Sequence, residues 1–289
     1  MINLALAISC GLAIGMIFKV ASRAGLDRIS LLTSNYGTAF LLSAAVAFLG
    51  NRTLDVSVGF VALGVVSGVV FIGGFFMQAL ATAVAGMSLA TSVMRLSVVI
   101  PFLASWGIWD EVPTGAQFVG LAFGGAAFFL VSRGRGPRAE PARDAAEGSS
   151  GRVFLVLTLL FIAGGAIDTM MKTFGEVYAA EYDNASFMAL VFGVAFVTGA
   201  SIIALRRRGR PEARAVIWGI VLGAVNFASV EFILRAIAEL SGPFVFPANN
   251  IALVIGGALL GVSVWKEHLS GLNWLGIAFA TVALVLLNF

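Results

Sequence analysis

The sequence predicts an all-α polytopic membrane protein with ten transmembrane helices, arranged as two inverted five-helix repeats. Three observations support this fold class: an apolar composition, long uncharged runs and an internal repeat. Of the 289 residues, 60% are hydrophobic and 11% are charged, and the mean hydropathy is +1.00. Because a soluble domain needs roughly a quarter of its residues charged to face water, this composition indicates a lipid environment.

Long uncharged runs define the predicted helices. The run from Val56 to Met94 is far longer than the roughly 20 residues that cross the hydrocarbon once, so the chain must fold back within it. A short turn near Ala83 to Gly86 is expected to divide this run. Division at charges and turn residues gives ten predicted spans: 3–20, 30–50, 57–80, 86–108, 115–132, 153–173, 185–205, 215–236, 243–264 and 271–288.

An internal repeat surrounds a hydrophilic centre. The stretch 133–152 is rich in Arg, Glu, Ala, Gly, Ser and Pro and is typical of a flexible linker. It separates a first five-helix repeat, 1–132, from a second, 153–289. The same landmarks recur in both repeats with a common spacing, which pairs Gly86 with Gly242, Trp109 with Trp265, Glu111 with Glu267, and Gly120 with Gly276. Near the start of each half, a slightly shorter spacing pairs Lys19 with Lys172.

The orientation follows from the helix number and the basic residues. Five helices per repeat is an odd number, so the second repeat enters the membrane from the opposite side, as in many secondary transporters. Most basic residues follow helices 1, 3, 5, 7 and 9, and the positive-inside rule makes that side cytoplasmic. Residues 140 and 209 are then cytoplasmic and both termini lie outside. The excess of Arg over Lys favours a bacterial cytoplasmic (inner) membrane.

Several functional classes are excluded by what the sequence lacks. The net charge of +3 could suggest nucleic acid, but the arginines lie in loops between apolar segments and no soluble domain presents a basic face. A single cysteine, Cys10, and a single histidine, His268, argue against a disulfide framework and a metal site. No catalytic Ser/His/Asp set, HExxH motif or nucleotide-binding loop is present, so neither an enzyme nor a cofactor is expected.

Three ionisable residues within predicted spans are candidate functional residues. A buried charge costs roughly 2.5–3.5 kcal/mol on insertion scales and therefore suggests a function. Arg95, near the middle of the fourth span, either anchors an anionic substrate group or forms an interhelical ion pair with Asp168 or Glu231. Asp168 precedes Lys172, and Glu231 precedes Arg235, by one helical turn. Each acid either pairs with its basic neighbour or exchanges a coupling proton.

Neutral polar side chains within the spans complete the candidate substrate-binding set. Buried amides need hydrogen-bond partners, which are either neighbouring helices or a ligand. These residues, together with Arg95, predict a polar central cavity: Asn35, Tyr36, Gln78, Asn226, Asn249 and Asn250. Pro247 removes one helical hydrogen bond just before Asn249, so the ninth span is the expected binding helix of the second half.

A similar motif closes each half of the chain: Pro101-x7-Trp109-Asp-Glu111-x8-Gly120 in the first and Trp265-Lys-Glu267-x8-Gly276 in the second. In this motif each half resembles the EamA-like module of the drug/metabolite transporter superfamily, and the resemblance extends over nearly the whole chain. The second half departs from the pattern at Gly257, which stands where the first half has Pro101. The resemblance implies secondary transport by alternating access, with export or exchange of a small polar metabolite. An amino acid or related carboxylate would suit one fixed cation, Arg95, beside two carboxylates and several amides.

Other interpretations of the same fold remain open at this point. Export or flipping of an amphipathic drug or lipid would suit an apolar cavity, and a non-transporting membrane scaffold would need no cavity. The fifth span carries Gly120, Gly124 and Gly125, which could form a homodimer seam. The expected partners are therefore a small-molecule substrate, the lipid bilayer, a coupling proton and a second copy of the chain.

Overall fold

The computed structural model describes residues 1–49, 57–110, 112–133, 150–205, 212–240 and 242–287. Within these ranges the chain is helical and contains no β-strand. Glu111, the positions 140 and 209, and most of the predicted linker lie outside the described residues.

Ten helical segments follow one another, and the fourth is divided into two parts, α4 and α5. The helices are α1 (Ile2–Arg23), α2 (Arg28–Leu49), α3 (Val58–Ala85), α4 (Met87–Leu96), α5 (Val99–Trp109), α6 (Gly115–Arg133), α7 (Ser150–Val177), α8 (Asn184–Leu205), α9 (Ala213–Leu240), α10 (Gly242–Ser263) and α11 (Gly271–Leu287). Each overlaps one predicted span, so the all-α class is confirmed.

Seven segments are long and apolar enough to cross a membrane, with α4 and α5 counted together as Met87–Trp109. Three shorter apolar helices, Gly115–Val131, Ala248–Ser263 and Gly271–Leu287, complete the described part of the chain. Large apolar side chains face outward along the long helices. Examples are Val61, Val65 and Val69 on α3, and Leu155, Leu159 and Ile162 on α7. Such a surface is compatible with a multi-pass membrane protein.

A single residue, Gly86, makes the turn between α3 and α4. Its backbone has φ 89° and ψ 164°, a conformation that side chains with a Cβ rarely adopt. The turn predicted near Ala83 to Gly86 is therefore confirmed, but α3 continues to Ala85 and the turn is shorter than expected.

The helices pack in a crosswise pattern. α1 packs on α9 and α3 packs on α7; α2 packs on α9 and α3 packs on α8. α2 also contacts α8, and α6 contacts α11 along its length. α4 is surrounded by α1, α3, α6, α7, α10 and α11, so it lies at the centre of the molecule.

The glycines of α6 contribute to packing within the chain. A Cβ on Gly120 would lie 3.0 Å from Cβ of Leu286, and one on Gly124 would lie 2.9 Å from a methyl group of Val99. Only Gly125 of the three has nothing within 4 Å. Gly120 and Gly124 therefore allow close approach between helices of one chain, which explains their spacing without a homodimer seam.

Candidate functional site

A proline interrupts the central helical segment between α4 and α5. Pro101 has no N–H to donate to the carbonyl oxygen of Ser97, four residues earlier. The N–H of Ile100 donates to that oxygen instead, at 2.9 Å. The N–H of Val98 donates to the carbonyl oxygen of Arg95 at 3.4 Å, which is a long hydrogen bond. The sequence therefore weakens the helix immediately after Arg95, and irregular backbone at membrane depth is typical of positions that line a cavity.

Arg95 lies in the last turn of α4, at this irregularity. Its side chain makes no hydrogen bond or ion pair among the described residues, and its Nε is buried without a partner. The residue as a whole is only partly buried. Because α4 is surrounded by other helices, Arg95 lies within the helix bundle.

Asp168 is the acidic group whose charge acts on Arg95. It lies on α7, one turn beyond Gly164 and on the same helix face. A Cβ on Gly164 would meet Oγ of Ser97 at 2.6 Å, so this face of α7 packs on the interruption between α4 and α5. Asp168 is nevertheless exposed and makes no hydrogen bond or salt bridge with any described residue. Arg95 and Asp168 therefore lie near enough to interact through their charges without being bonded to each other.

The other predicted ion pairs have two different outcomes. Arg235 donates from Nε and Nη2 to Oε1 of Glu231, both at 2.9 Å, so this pair forms as expected. Lys172, in contrast, lies 3.4 Å from Glu176 and 5.4 Å from the ring centre of Trp109, not against Asp168. The pairing of Asp168 with Lys172 is therefore wrong. The other alternative, an ion pair with Arg95, is also not formed.

Three residues of the predicted binding set make hydrogen bonds within the helix bundle. Nδ2 of Asn226 donates to Oδ1 of Asn35 at 3.4 Å, which joins α9 to α2. The hydroxyl of Tyr36 donates to the carbonyl oxygen of Phe71 at 2.9 Å. Tyr36 is fully buried, and its ring contacts Phe75. These bonds favour a structural role, although Nδ2 of Asn35 is buried without a partner among the described residues.

Asn249 and Asn250 are partly buried on α10 and make no hydrogen bond with described residues. α10 runs antiparallel to α4, because Gly261 contacts Ser88 and Gly257 contacts Thr91. Continuing this register places the two asparagines beside the end of α4, at the level of the interruption. The backbone of α10 itself is helical without a break from Gly242 to Ser263. The irregularity expected after Pro247 is instead found in the first half, at Pro101.

A second ionic group lies at the opposite end of α4. Lys19 of α1 lies 3.0 Å from Oε1 of Glu267, and the Glu267 side chain is 3% exposed. The N–H groups of Met87 and Ser88 donate to the same carboxylate at 2.7 and 3.1 Å. The hydroxyl of Ser88 adds a third bond at 2.8 Å.

The surroundings of Glu267 keep it ionised. Burial raises the pKa of this carboxyl group, but the charge of Lys19 and the N–H groups of Met87 and Ser88 lower it by more. The pKa is therefore below its usual 4.5. Sequence reasoning missed this arrangement, since Lys19 is notable in the sequence only as the counterpart of Lys172 in the repeat. The sequence does carry a signal for it, because the Trp-x-Glu motif occurs in both halves and Glu267 follows directly after a predicted span.

Comparison with known proteins supports the fold only. The sequence matches no protein-family profile. A protein of Haemophilus influenzae described as uncharacterized is 28% identical over 303 residues, which cover 99% of this chain and 97% of the relative. One crystal structure superposes with a TM-score of 0.60 at 14% identity, covering 99% of this chain and 94% of the other. The helical architecture is thus one already found in a solved protein.

Proposed function

We propose that this chain is a secondary transporter of small polar metabolites, built from two inverted five-helix repeats like the EamA-like members of the drug/metabolite transporter superfamily. It works by alternating access and exports or exchanges its substrate. The observation that carries the proposal is Arg95, a central guanidinium without a partner among the described residues, located where Pro101 interrupts the helix.

The crosswise packing supports the inverted repeat. If α1, α2 and α3 correspond to α7, α8 and α9, then the contact of α1 with α9 is the counterpart of the contact of α7 with α3. The contact of α2 with α9 corresponds in the same way to that of α8 with α3. A pseudo-two-fold axis between the halves would produce this exchange, and in transporters built from inverted repeats the substrate site lies at the repeat interface.

The side chains at and near Arg95 indicate the kind of substrate. A guanidinium binds a carboxylate through two parallel hydrogen bonds, and Arg95 has its donors free among the described residues. Asp168, whose charge acts on Arg95, supplies an acceptor that can receive an ammonium group. Asn249 and Asn250 lie at the same level and offer neutral donors and acceptors. An amino acid or related carboxylate fits this set.

Asp168 is also the better of the two candidates for proton coupling. Glu231 is occupied by two hydrogen bonds from Arg235, whereas Asp168 is exposed and unbonded among the described residues. Asp168→Asn should therefore abolish uptake driven by a pH gradient and leave intact the exchange of a carboxylate substrate that has no ammonium group. Glu231→Gln is the matched control and should keep gradient dependence.

The proposal is tested first by ligand binding and then by flux. A thermal-shift screen of amino acids, other carboxylates and amphipathic drugs identifies ligands, because a ligand of the folded state raises Tm. Purified protein in liposomes should then show saturable uptake of any hit, and Arg95→Lys should weaken it. Stabilisation by amphipaths alone would favour a drug or lipid exporter, and binding without flux would favour a scaffold.

The orientation is a separate part of the proposal. Single cysteines replace two exposed loop residues, Glu181 between α7 and α8 and His268 between α10 and α11, in a Cys10→Ser background. An impermeant maleimide added to intact cells should label Glu181→Cys and spare His268→Cys. The reverse labelling pattern would overturn the placement of both termini outside the cell.

A further inference from the structure

Three separate parts of the chain meet at the carboxylate of Glu267. Lys19 comes from the end of α1, Met87 and Ser88 from the start of α4, and Glu267 from the loop between α10 and α11. α1 and α4 belong to the first half and the loop to the second. The contact therefore joins the two halves of the molecule at one membrane face.

Glu267 supplies the cap that the sequence of α4 does not provide. The N-cap residue is Gly86, which has no side chain to accept from the free N–H groups of the first turn. The Glu267 carboxylate accepts from two of them, and its negative charge also interacts favourably with the positive end of the helix dipole.

The surrounding backbone is shaped to admit this carboxylate. A Cβ on Gly86 would lie 2.8 Å from Cδ of Glu267, and one on Gly261 would lie 2.5 Å from Oε2. The N–H of Glu267 donates to the carbonyl oxygen of Gly261 at 2.9 Å, which fixes the loop against the end of α10. The carboxylate thus occupies a fitted space between two glycines of different halves.

We infer that Lys19, Glu267 and the first turn of α4 form a latch that closes the transport pathway at this face. Opening the pathway on this side requires the end of α10 to move away from the start of α4, which breaks the contacts of Glu267. α4 carries the latch at its first turn and Arg95 in its last turn, so release of the latch frees the helix that presents Arg95 to the substrate.

The latch rests on the proposed function for its meaning in transport, but it is tested without a substrate. Thr91 lies one turn beyond Ser88, is 9% exposed and packs on Gly257. A cysteine at this position should become reachable only when α4 and α10 separate. The experiment measures labelling of Thr91→Cys by an impermeant maleimide, in a Cys10→Ser background, from both faces of oriented membrane vesicles.

With Glu267 present, labelling should be slow from either face. Glu267→Gln removes the negative charge that contacts Lys19 and the N-terminus of α4. Because hydrogen bonds to a charged group are stronger than those to a neutral one, labelling from the face of the latch should rise about tenfold or more. Lys19→Gln leaves the bonds from Met87 and Ser88 intact and should give a smaller rise. Rapid labelling with Glu267 present, or unchanged labelling in both variants, would overturn the latch.

The matched control is Glu239→Gln. Glu239 also joins α1 to a helix of the second half, since it pairs with the amino group of Met1 and accepts from Asn3. That contact lies at the other end of α1, and its loss should leave labelling from the latch face unchanged. An equal rise in this variant would show that any loosened α1 contact exposes Thr91, which would contradict a specific latch.

A charge swap separates the latch from an ordinary ion pair. In Lys19→Glu combined with Glu267→Lys, the two opposite charges still face each other, but an ammonium group now faces the N–H groups of Met87 and Ser88. Labelling should be as fast as in Glu267→Gln, because a cation at a helix N-terminus is unfavourable. Restored slow labelling would show that only the pairing of charges matters. Absence of flux for every tested substrate would leave these labelling results unchanged, so the two proposals fail separately.

Discussion

The two ends of α4 differ in whether the charged group there has hydrogen-bond partners. At the first turn, the Glu267 carboxylate is buried and receives hydrogen bonds from Met87 and Ser88 besides its contact with Lys19. In the last turn, the Arg95 guanidinium has no hydrogen-bond partner among the described residues, although the charge of Asp168 acts on it. A charge fully paired within the fold contributes to the folded structure, whereas a charge left unpaired is available to a ligand.

Removing Glu267 should have the largest effect on stability. Glu267→Ala leaves the Lys19 ammonium and the N–H groups of Met87 and Ser88 buried without their partner. Breaking a buried pair by removal of one side costs about 3–5 kcal/mol. The Tm of the purified protein in detergent should fall markedly, and Glu239→Ala, which removes an exposed carboxylate, should change it little. Equal Tm values for the two variants would contradict the assignment of Glu267 as a structural anchor.

Acid should weaken the same contact. The pKa of Glu267 is lower in the folded protein than its usual 4.5, so the folded state binds this proton less readily than the unfolded chain. Its contribution is fully present above the unfolded pKa and is lost as the pH falls through the folded pKa. The Tm difference between the unaltered protein and Glu267→Gln should therefore be constant near neutral pH and shrink below about 4.5. A constant difference down to pH 3 would contradict the lowered pKa.

Gly86→Ala should destabilise the protein by a smaller amount. The φ of 89° is strained for alanine, and the added Cβ would displace the Glu267 carboxylate. The expected cost is about 1–3 kcal/mol. Gly73→Ala is the matched control, because Gly73 lies inside α3 with nothing within 4 Å of its added Cβ. Thermal unfolding should show no loss for Gly73→Ala, since alanine favours helix over glycine.

Tyr36→Phe should have the smallest effect. It removes only the hydrogen bond to the Phe71 carbonyl and keeps the ring packed, so the cost is about 1 kcal/mol. Any ligand found for the protein should retain its affinity for this variant. A large loss of ligand affinity with unchanged Tm would show instead that the Tyr36 hydroxyl contacts substrate.

Sequence reasoning located the helices well, because hydropathy and turn residues carry most of the information in a membrane protein. The site was harder to predict, since it depends on which helix faces meet. Periodicity placed Arg95 in the middle of a span and identified Asp168 as its possible partner. It could not show that the two charges act on each other without a direct bond.

The contact between Lys19 of α1 and Glu267 could not be predicted from the sequence either. Lys19 and Glu267 are far apart along the chain and make contact only because α1, α4 and the loop after α10 converge. Pro101 and Pro247 show the same limit, because both remove a helical hydrogen bond in principle. Only the segment of Pro101 is divided into two helices, whereas α10 is continuous through Pro247.

The direct test of Arg95 as a substrate anchor is the Tm and substrate flux of Arg95→Met. Methionine replaces an unpaired, partly buried guanidinium by an apolar side chain, and Asp168 remains exposed. The expected result is a Tm equal to or above that of the unaltered protein, together with loss of flux. A lowered Tm that is restored, along with flux, by adding Asp168→Asn would contradict the anchor. That result would show that Arg95 serves only to neutralise Asp168.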